Sequence, residues 1–242
     1  MARYKLSIEY EGTNYSGWQI QLNANTIEEE LEKALSRILQ EKIDVVGQGR
    51  TDSGVHAEAQ IAHCDVNQPV DIDKLLYALL GVLPRDISVW DLEKVSGDFH
   101  ARFDGKSRQY RYQIITRPSA LIYRTANYIH YDLNIEAMQK CAEMILGTHD
   151  FECFSKSDKD QHDAVCTVLH SEFSRNGQLI TYRIRANRFV RHLVRRLVGT
   201  MLQVGKGEQF VEDFADLLHH PDETKTSHGA AAKGLILERV EY

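Results

Sequence analysis

Proline, cysteine and long apolar runs are all scarce in this sequence. Only four of its 242 residues are proline, and no Pro/Gly/Ser-rich linker divides the chain. The four cysteines form no CxxC pair, which disfavours a disulfide framework or a zinc site. No apolar run approaches the roughly 18 residues that a membrane span needs, and the opening MARYKLSIEY has no apolar signal-peptide core. These absences predict a cytoplasmic protein with reduced thiols and no membrane association.

Acidic residues outnumber basic ones, and the net charge is -6. This average hides two acid-poor blocks, one from Phe173 to Gly207 without Asp or Glu and one from His100 to His130 with Asp104 alone. Because charges are screened over about 8 Å, a bound phosphate responds to the local block. The blocks therefore indicate a nucleic-acid partner, with an ordinary solvated face as the alternative. Their basic residues are Arg102, Lys106, Arg108, Arg111, Arg117, Arg124, Arg175, Arg183, Arg185, Arg188, Arg191, Arg195, Arg196 and Lys206.

The first half of the chain has the periodicity of a β-α-β-β-α-β unit. Residues 3 to 10 alternate between apolar and polar, as in a half-buried strand. Thr26 and Glu29 have the spacing of a capping box at the start of a helix. The remaining predicted elements are a short strand at Ile43–Val46, a strand at Ala59–Val66, a helix at Ile72–Leu83 and a strand at Ile87–Val95.

The second half repeats this order with one inserted helix. Asn176-Gly177 is a strong hairpin signal between two strands, and Gly147 suits a left-handed helix cap. Apolar residues from Val190 to Met201 recur at helical spacing. The predicted strands are Arg108–Ile115, Val165–Phe173, Leu179–Ala186 and Leu235–Tyr242, and the other predicted helices are Ile135–Leu146 and Phe210–Leu218.

Together these patterns predict an α+β protein built from two ferredoxin-like halves, each a split βαβ unit. We expect the halves, residues 1–100 and 101–242, to share a mostly antiparallel sheet flanked by helices. The first half holds the segment GQGRTDSG, which is too rich in glycine and turn formers for regular structure.

Asp52 lies at the centre of this turn, between two predicted strands. One interpretation is structural, since Asp-Ser-Gly readily forms an Asx-turn over Gly54. A second is the Asp-Ser-Gly of an aspartic protease, which requires a second copy of the motif so that two carboxylates share a proton. No second copy occurs, and we discard this interpretation.

The segment GRTDSGVHA resembles the signature loop of the TruA family of tRNA pseudouridine synthases. Further segments resemble other motifs of that family in the same order, across nearly the whole chain. They are NYSGWQ, LPRDISV, FHARFDGKSRQYRY, GTHDFECF, RFVRHLVRRLVGTM and GLILERVEY. Ser53 in place of the usual alanine is a mild departure that removes no catalytic group. The resemblance implies the pseudouridine synthase fold.

The resemblance also implies site residues. It makes Asp52 the catalytic carboxylate. In the target uridine this group could attack ribose C1′, attack uracil C6 or abstract a ribose proton, and the sequence leaves these three roles open. It implies that Arg50 helps to fill the space left by a flipped base. The alternative is that Arg50 is an ordinary surface arginine. It selects Tyr110 as the active-site tyrosine, whereas alternation alone would place both Tyr110 and Tyr112 in the core.

Arginines around residue 190 are the remaining candidates. The resemblance pairs Arg195 with Asp52, and a positive partner would keep a buried carboxylate ionised. Arg188, Arg191 and Arg195 recur at spacings of three and four, which predicts one face of a helix. We expect Arg185, Arg188 and Arg191 to contact RNA phosphates. None of the 11 histidines has metal-ligand spacing, so no metal is expected.

The resulting hypothesis is an enzyme that isomerises uridine to pseudouridine without a cofactor. By resemblance it acts on tRNA as a homodimer, at positions 38, 39 and 40 of the anticodon arm. The rival hypothesis is a non-catalytic protein with tandem RRM-like domains, since basic ferredoxin-like units also describe these. That rival leaves Asp52 without a role, and no segment matches the aromatic RRM motif.

Overall fold

The computed structural model describes residues 1–155, 163–220, 226 and 229–242, which form a mixed α+β protein with a large, mostly antiparallel sheet. Within these residues the helices are α1 Ile27–Leu39, α2 Ile72–Val82, α3 Ile135–Met144, α4 Leu193–Lys206 and α5 Val211–His219. The strands are β1 Ala2–Tyr10, β2 Val45–Gly47, β3 His56–Val66, β4 Ile87–Val95, β5 Ser107–Ile115, β6 Asn127–Tyr128, β7 Gly147–Asp150, β8 Val165–Asn176, β9 Leu179–Ala186 and β10 Leu235–Glu241.

The chain divides into two compact units. The first is formed by Met1–Lys106 and Ile236–Tyr242, and the second by Ser107–Leu235. The closing strand β10 therefore belongs mostly to the first unit. The predicted α+β class is confirmed, while the ferredoxin-like halves with a boundary at residue 100 stay a prediction.

The strands of the first unit follow the order β4-β1-β3-β10, and β2 pairs with β3. Strand β1 is antiparallel to both neighbours, whereas β10 runs parallel to β3. The alternating residues Tyr4, Leu6, Ile8 and Tyr10 are all buried, as their period of two predicted. Because one face of β1 is buried, its register against β3 and β4 is fixed. That register also fixes the positions of the segments next to these strands.

Helix α1 begins at the predicted residue, but the predicted capping box is wrong. The Thr26 side chain makes no capping hydrogen bond, and in the described residues its buried hydroxyl has no partner. The first helical N–H groups instead donate to the Gly17 and Trp18 carbonyls, at 3.2 and 3.0 Å. Glu28 accepts from the Trp18 indole at 3.2 Å. The NYSGWQ segment thus caps this helix.

The strands of the second unit follow the order β5-β9-β8-β7, and β6 pairs in parallel with β5. The Asn176-Gly177 hairpin is confirmed, since Asn176 pairs with Leu179 and Gly177 has a φ of 58°. Tyr182 is fully buried and stacks on Phe173 at 4.6 Å between ring centroids. Strands β6 and β7 were not predicted.

The predicted helical face of Arg188, Arg191 and Arg195 is wrong. Helix α4 begins only at Leu193, after His192 in a left-handed conformation with a φ of 66°. Arg188 and Arg191 therefore lie in the connection between β9 and α4. Only Arg195 is on the helix, in its first turn.

Candidate active site

The turn that carries Asp52 spans residues 48–55, between β2 and β3. Its first residue, Gln48, is buried and donates its backbone N–H to Ile61 O at 2.8 Å. The Gln48 side-chain amide donates to Gln60 Oε1 at 3.0 Å, and the Gln60 amide donates to Gly49 O at 3.1 Å. Buried amides with satisfied partners resist displacement, so the entry to the turn is firmly held.

The centre of the turn is fixed on both sides of Asp52. Thr51 is buried, and its hydroxyl shares a hydrogen bond of 2.8 Å with the Tyr10 hydroxyl. Val55 N donates to Asp52 O at 3.1 Å and closes the turn, in which Gly54 has a φ of 75°. Asp52 itself is half-buried. This arrangement presents the Asp52 side chain from a backbone that is tied down at the residues beside it.

The NYSGWQ segment packs directly against this turn. Tyr15 O accepts from Gly54 N at 3.3 Å and from the Ser53 hydroxyl at 3.2 Å. Trp18 N donates to Thr51 O at 3.2 Å. The Gly54 N–H thus donates to Tyr15 O. Contacts with the NYSGWQ segment, in addition to any Asx-turn, therefore explain the shape of the turn.

Gly17 makes this close packing possible. It has a φ of 96°, and a Cβ at this position would lie 2.5 Å from Thr51 O. Only glycine adopts such a backbone at low cost, and only the absence of a side chain permits the approach. The glycine of NYSGWQ is therefore required by the Asp52 turn.

Asp86 connects a third segment, LPRDISV, to the same assembly. Its carboxylate accepts from the Tyr15 hydroxyl at 2.6 Å and from the Asn14 amide at 3.4 Å. Its carbonyl accepts from Glu11 N at 2.9 Å. Burial, with the hydrogen bond to Asp86 second, raises the pKa of the Tyr15 phenol well above its usual value. Three segments separated in sequence thus meet at the Asp52 turn, and sequence reasoning did not identify Tyr15 or Asp86.

The two histidines near this turn are structural. His56 is buried, and its Nδ1 accepts from Gly12 N at 2.9 Å. His63 is also buried, and its Nδ1 accepts from Ala101 N at 3.2 Å. Burial, together with Arg3 and His100, lowers the pKa of His63 to about 4. Both rings are therefore packing groups within the first unit.

Arg50, two residues before Asp52, is exposed. Within the described part of the chain no hydrogen bond or ion pair holds its guanidinium group. It shares the loop of Asp52 but has the freedom of a surface side chain.

The second unit distinguishes the two candidate tyrosines of β5. Tyr112 is fully buried, its hydroxyl donates to Ala231 O at 2.8 Å, and its ring lies against Gly234. Tyr110 is 9% exposed to solvent, and its ring contacts Phe189 edge to face at 5.1 Å between ring centroids. Both rings are buried, and Tyr112 is the more completely enclosed of the two.

Arg195 is oriented by the segment that precedes β10. Its Nε donates to Ala230 O at 2.9 Å, and Ala230 N donates to Arg195 O at 2.8 Å. This reciprocal pair fixes one edge of the guanidinium group at the beginning of α4. The neighbouring Arg196 has a structural role, since its Nη1 donates to Ser155 O at 2.8 Å.

The three arginines predicted to contact phosphate have different surroundings. Arg185 lies on β9, half-buried, opposite Gln109 of β5 and His170 of β8. Arg188 has its Nη1 3.3 Å from the Asp163 carboxylate. Arg191 is exposed, and it has no ion pair in the described residues.

The described residues contain no cluster of three or more side chains that could hold a metal ion. They also contain no helix with the length and hydropathy of a membrane span. All four cysteines are buried, and none forms a disulfide.

Comparison with known proteins gives matches along nearly the whole chain. A family model described as tRNA pseudouridine synthase matches residues 6–104 and 141–242. The chain is 42% identical to tRNA pseudouridine synthase A of Chlorobaculum tepidum, across 98% of this chain and 97% of that protein. It is 40% identical to the protein of that name from Chlorobium phaeovibrioides, across the full length of both. The corresponding protein of Bacteroides fragilis is 38% identical, with 99% and 96% covered.

Among solved structures, the CRISPR endoribonuclease Cse3 bound to a 19-nucleotide RNA matches 85% of this chain at 12% identity. Its TM-score of 0.25 is too low to support any argument.

The matched ranges include the Asp52 turn, both segments that support it and all of α4. They define the class, which is that of the pseudouridine synthases. The chain belongs to the tRNA pseudouridine synthase family, as the resemblance of its motifs to TruA predicted.

Proposed function

We propose that the protein isomerises uridine to pseudouridine in tRNA, with Asp52 as its catalytic carboxylate. The observation that supports this most strongly is the turn of residues 48–55. The NYSGWQ segment holds the backbone on both sides of one half-buried aspartate, and LPRDISV in turn holds Tyr15 of that segment. A surface turn with no function would not need this support, whereas a catalytic group must be held close to its productive geometry.

The proposed reaction breaks the bond between ribose C1′ and uracil N1, turns the detached base and joins C1′ to C5. The hydrogen on C5 leaves as a proton and N1 gains one, so atoms and electrons balance without an oxidant, a reductant or a second substrate. An ionised carboxylate can act as nucleophile or base. The three roles considered for Asp52, attack on C1′, attack on C6 and abstraction of a ribose proton, remain open.

Three further residues are proposed for the site. Tyr110 is the tyrosine that would contact the uracil, and its residual exposure, unlike the full burial of Tyr112, supports this choice. Arg50 would help to fill the space left by the flipped base, because its side chain is exposed. Arg195 would pair with Asp52, and its fixed Nε edge would reduce the cost of ordering that pair.

Arg185, Arg188 and Arg191 are proposed to bind RNA phosphates. Arg191 is exposed and has no ion pair among the described residues, while Arg188 would exchange its contact with Asp163 for a phosphate. Each phosphate neutralised on duplex RNA should add roughly one unit to the log–log salt dependence of binding. The proposed targets are uridines 38, 39 and 40 of the anticodon arm.

The proposal includes action as a homodimer in the cytoplasm. A second copy would extend the reach of one tRNA-binding surface along the substrate. Four buried, unpaired cysteines agree with a reducing compartment. Sedimentation over a concentration series tests the dimer, and modification of whole tRNA compared with an excised anticodon hairpin tests the need for reach.

The tandem RRM-like alternative is not favoured, because the family matches cover enzymes and because RNA binding alone requires no buttressed aspartate. The deciding experiment is release of tritium from tRNA labelled at uracil C5, for the unaltered protein, Asp52→Asn and Asp98→Asn. Asp98 is an exposed carboxylate of the same unit and serves as the matched control. We expect Asp52→Asn to lower the rate by on the order of a thousandfold or more, with tRNA binding nearly unchanged. Appreciable turnover by a clean Asp52→Asn preparation would falsify the assignment.

A further inference from the structure

A second feature of the second unit has no role in the proposed chemistry. It is an open pocket of about 440 Å³ beside the end of β5. Ile115 and Ala126 are buried at its base, while Tyr123 and Tyr128 line it with 56% and 44% of their surfaces exposed. Its volume is in the range of small-ligand sites. We call it the tyrosine pocket.

Two exposed tyrosines beside an apolar base form a surface for a flat ring. Exposure of an aromatic side chain to water is unfavourable, and stacking of another π-system on the ring offsets that cost. All four nucleobases have such a face, and stacking on aromatic residues is the usual way that proteins bind unpaired bases. The pocket therefore has the chemistry to accept one nucleobase.

The charges around the pocket select a polyanion over other flat or apolar ligands. Residues 105–131 contain no Asp or Glu. Arg124 donates from Nε to the Tyr123 hydroxyl at 2.8 Å, which places a cation beside that ring. Arg117 is exposed and donates to Pro118 O at 3.0 Å, and Lys233 lines the pocket. Cations around stacking rings are the combination that single-stranded nucleic acids require.

We propose that the tyrosine pocket binds one unpaired nucleotide of the tRNA substrate, other than the uridine that reacts. Its base stacks on Tyr123 or Tyr128, and its phosphates lie near Arg117, Arg124 and Lys233. This inference rests on the proposed function, because it assumes that tRNA is the substrate. The pocket lies mostly between residues 105 and 140, which the family match does not include.

The first test separates stacking from other roles of the rings. Tyr123→Ala and Tyr128→Ala should each raise the Kd for tRNA by roughly five- to fiftyfold, from the loss of one base stack. Tyr123→Phe and Tyr128→Phe keep the ring and should bind nearly as tightly as the unaltered protein. Tyr77→Ala is the matched control, since Tyr77 is a more exposed tyrosine on α2. Tyr77→Ala should leave both the Kd for tRNA and the rate of tritium release unchanged.

The second test uses charge and does not depend on removing a ring. Ala120 is exposed at the pocket, so Ala120→Glu and Ala120→Gln should both fold. The glutamate should weaken tRNA binding and the neutral glutamine should not, because only the glutamate repels phosphate. Crosslinking of tRNA substituted with 4-thiouridine should label the peptide that contains Tyr123 and Tyr128.

The outcomes distinguish this inference from the proposed function. If the unaltered protein releases tritium from tRNA but the alanine and glutamate variants bind tRNA equally well, the pocket inference is wrong and the function stands. If those variants alter sedimentation in the absence of RNA while tRNA affinity is kept, the pocket contacts a second copy of the chain, and the inference is again wrong. If the unaltered protein neither binds nor modifies tRNA, the proposed function itself fails.

Discussion

The hydrogen bond between Tyr15 and Asp86 should contribute both to stability and to catalysis. The Tyr15 hydroxyl is 2.6 Å from the Asp86 carboxylate, and Tyr15 O accepts two hydrogen bonds from the turn that carries Asp52. Tyr15→Phe removes one oxygen and leaves the ring and backbone in place. It therefore removes the shortest of the three hydrogen bonds that join Asp86 to residues 11–15, with little change in packing.

The expected cost in stability follows from the geometry. A hydrogen bond to a charged group contributes about 1.5–3 kcal/mol. Asp86 is half-exposed and water can replace the lost donor, so we expect about 1–2 kcal/mol. For a chain of this length that corresponds to a melting temperature lower by roughly 2–8 °C.

The pH dependence of stability gives a second test of the Tyr15 hydroxyl, whose pKa is raised by burial first and by the hydrogen bond to Asp86 second. The folded pKa of the Tyr15 phenol is raised above its unfolded value near 10, so the folded state binds this proton more tightly. The stabilisation is therefore fully present below about pH 10 and is lost as the pH rises above it. Tyr15→Phe should remove this part of the alkaline destabilisation.

Steady-state tritium release should show a fall in kcat of several-fold with little change in KM, since the turn loosens while the RNA surface is unaltered. Tyr77→Phe, at an exposed position, is the control. Equal melting temperatures and equal kcat for Tyr15→Phe and the unaltered protein would refute the idea that Asp86 and Tyr15 position the turn.

Three further predictions concern other contacts. Gly17→Ala should cost about 1–3 kcal/mol from overpacking and should lower kcat further than this loss of stability explains, as denaturant unfolding and tritium release would show; an alanine variant with native activity would contradict the packing argument. Arg195→Met should depress kcat far more than affinity whereas Arg188→Ala should mainly weaken tRNA binding, and loss of affinity alone in both would refute the pairing with Asp52. His63 has a pKa lowered to about 4, so its contribution to stability is present above about pH 6.5 and is lost as the pH falls toward 4. His63→Gln should make the free energy of unfolding depend less on pH in that range, and an unchanged pH dependence would count against this prediction.

Periodicity predicted most of the fold because burial repeats along each element. Strands β4 and β9 have the predicted bounds, and the start of α1 is correct, since their apolar residues alternate or recur without interruption. Strands β6 and β7, of two and four residues, are too short for a period to be visible. The first turn of α4 was misplaced because apolar residues at helical spacing begin at Val190, before the left-handed residue His192 that prevents an earlier start.

The site was predictable only to the level of its motifs. The resemblance identified the turn of Asp52, but nothing in the local sequence indicates that Tyr15, Gly17 and Asp86 support it. Those contacts join residues 34 or more positions apart, and they depend on how β1, β3 and β4 pair. Alternation places Tyr110 and Tyr112 on one face, so only the resemblance selected Tyr110, and that choice stays a prediction.

The beginning of α4, at Leu193, has features that support the proposed binding of anions. The positive end of a helix dipole favours acidic residues in the first turn, yet α4 has none there, and His192 provides no side-chain cap. Arg195 occupies this turn and Arg191 lies just before it, where each cation costs about 0.3–1 kcal/mol in an isolated protein. Cations beside a helix N-terminus become favourable once a phosphate or carboxylate approaches. The arrangement is therefore unfavourable for folding alone and suited to a negatively charged partner. That is the role proposed for Arg191 toward RNA and for Arg195 toward Asp52.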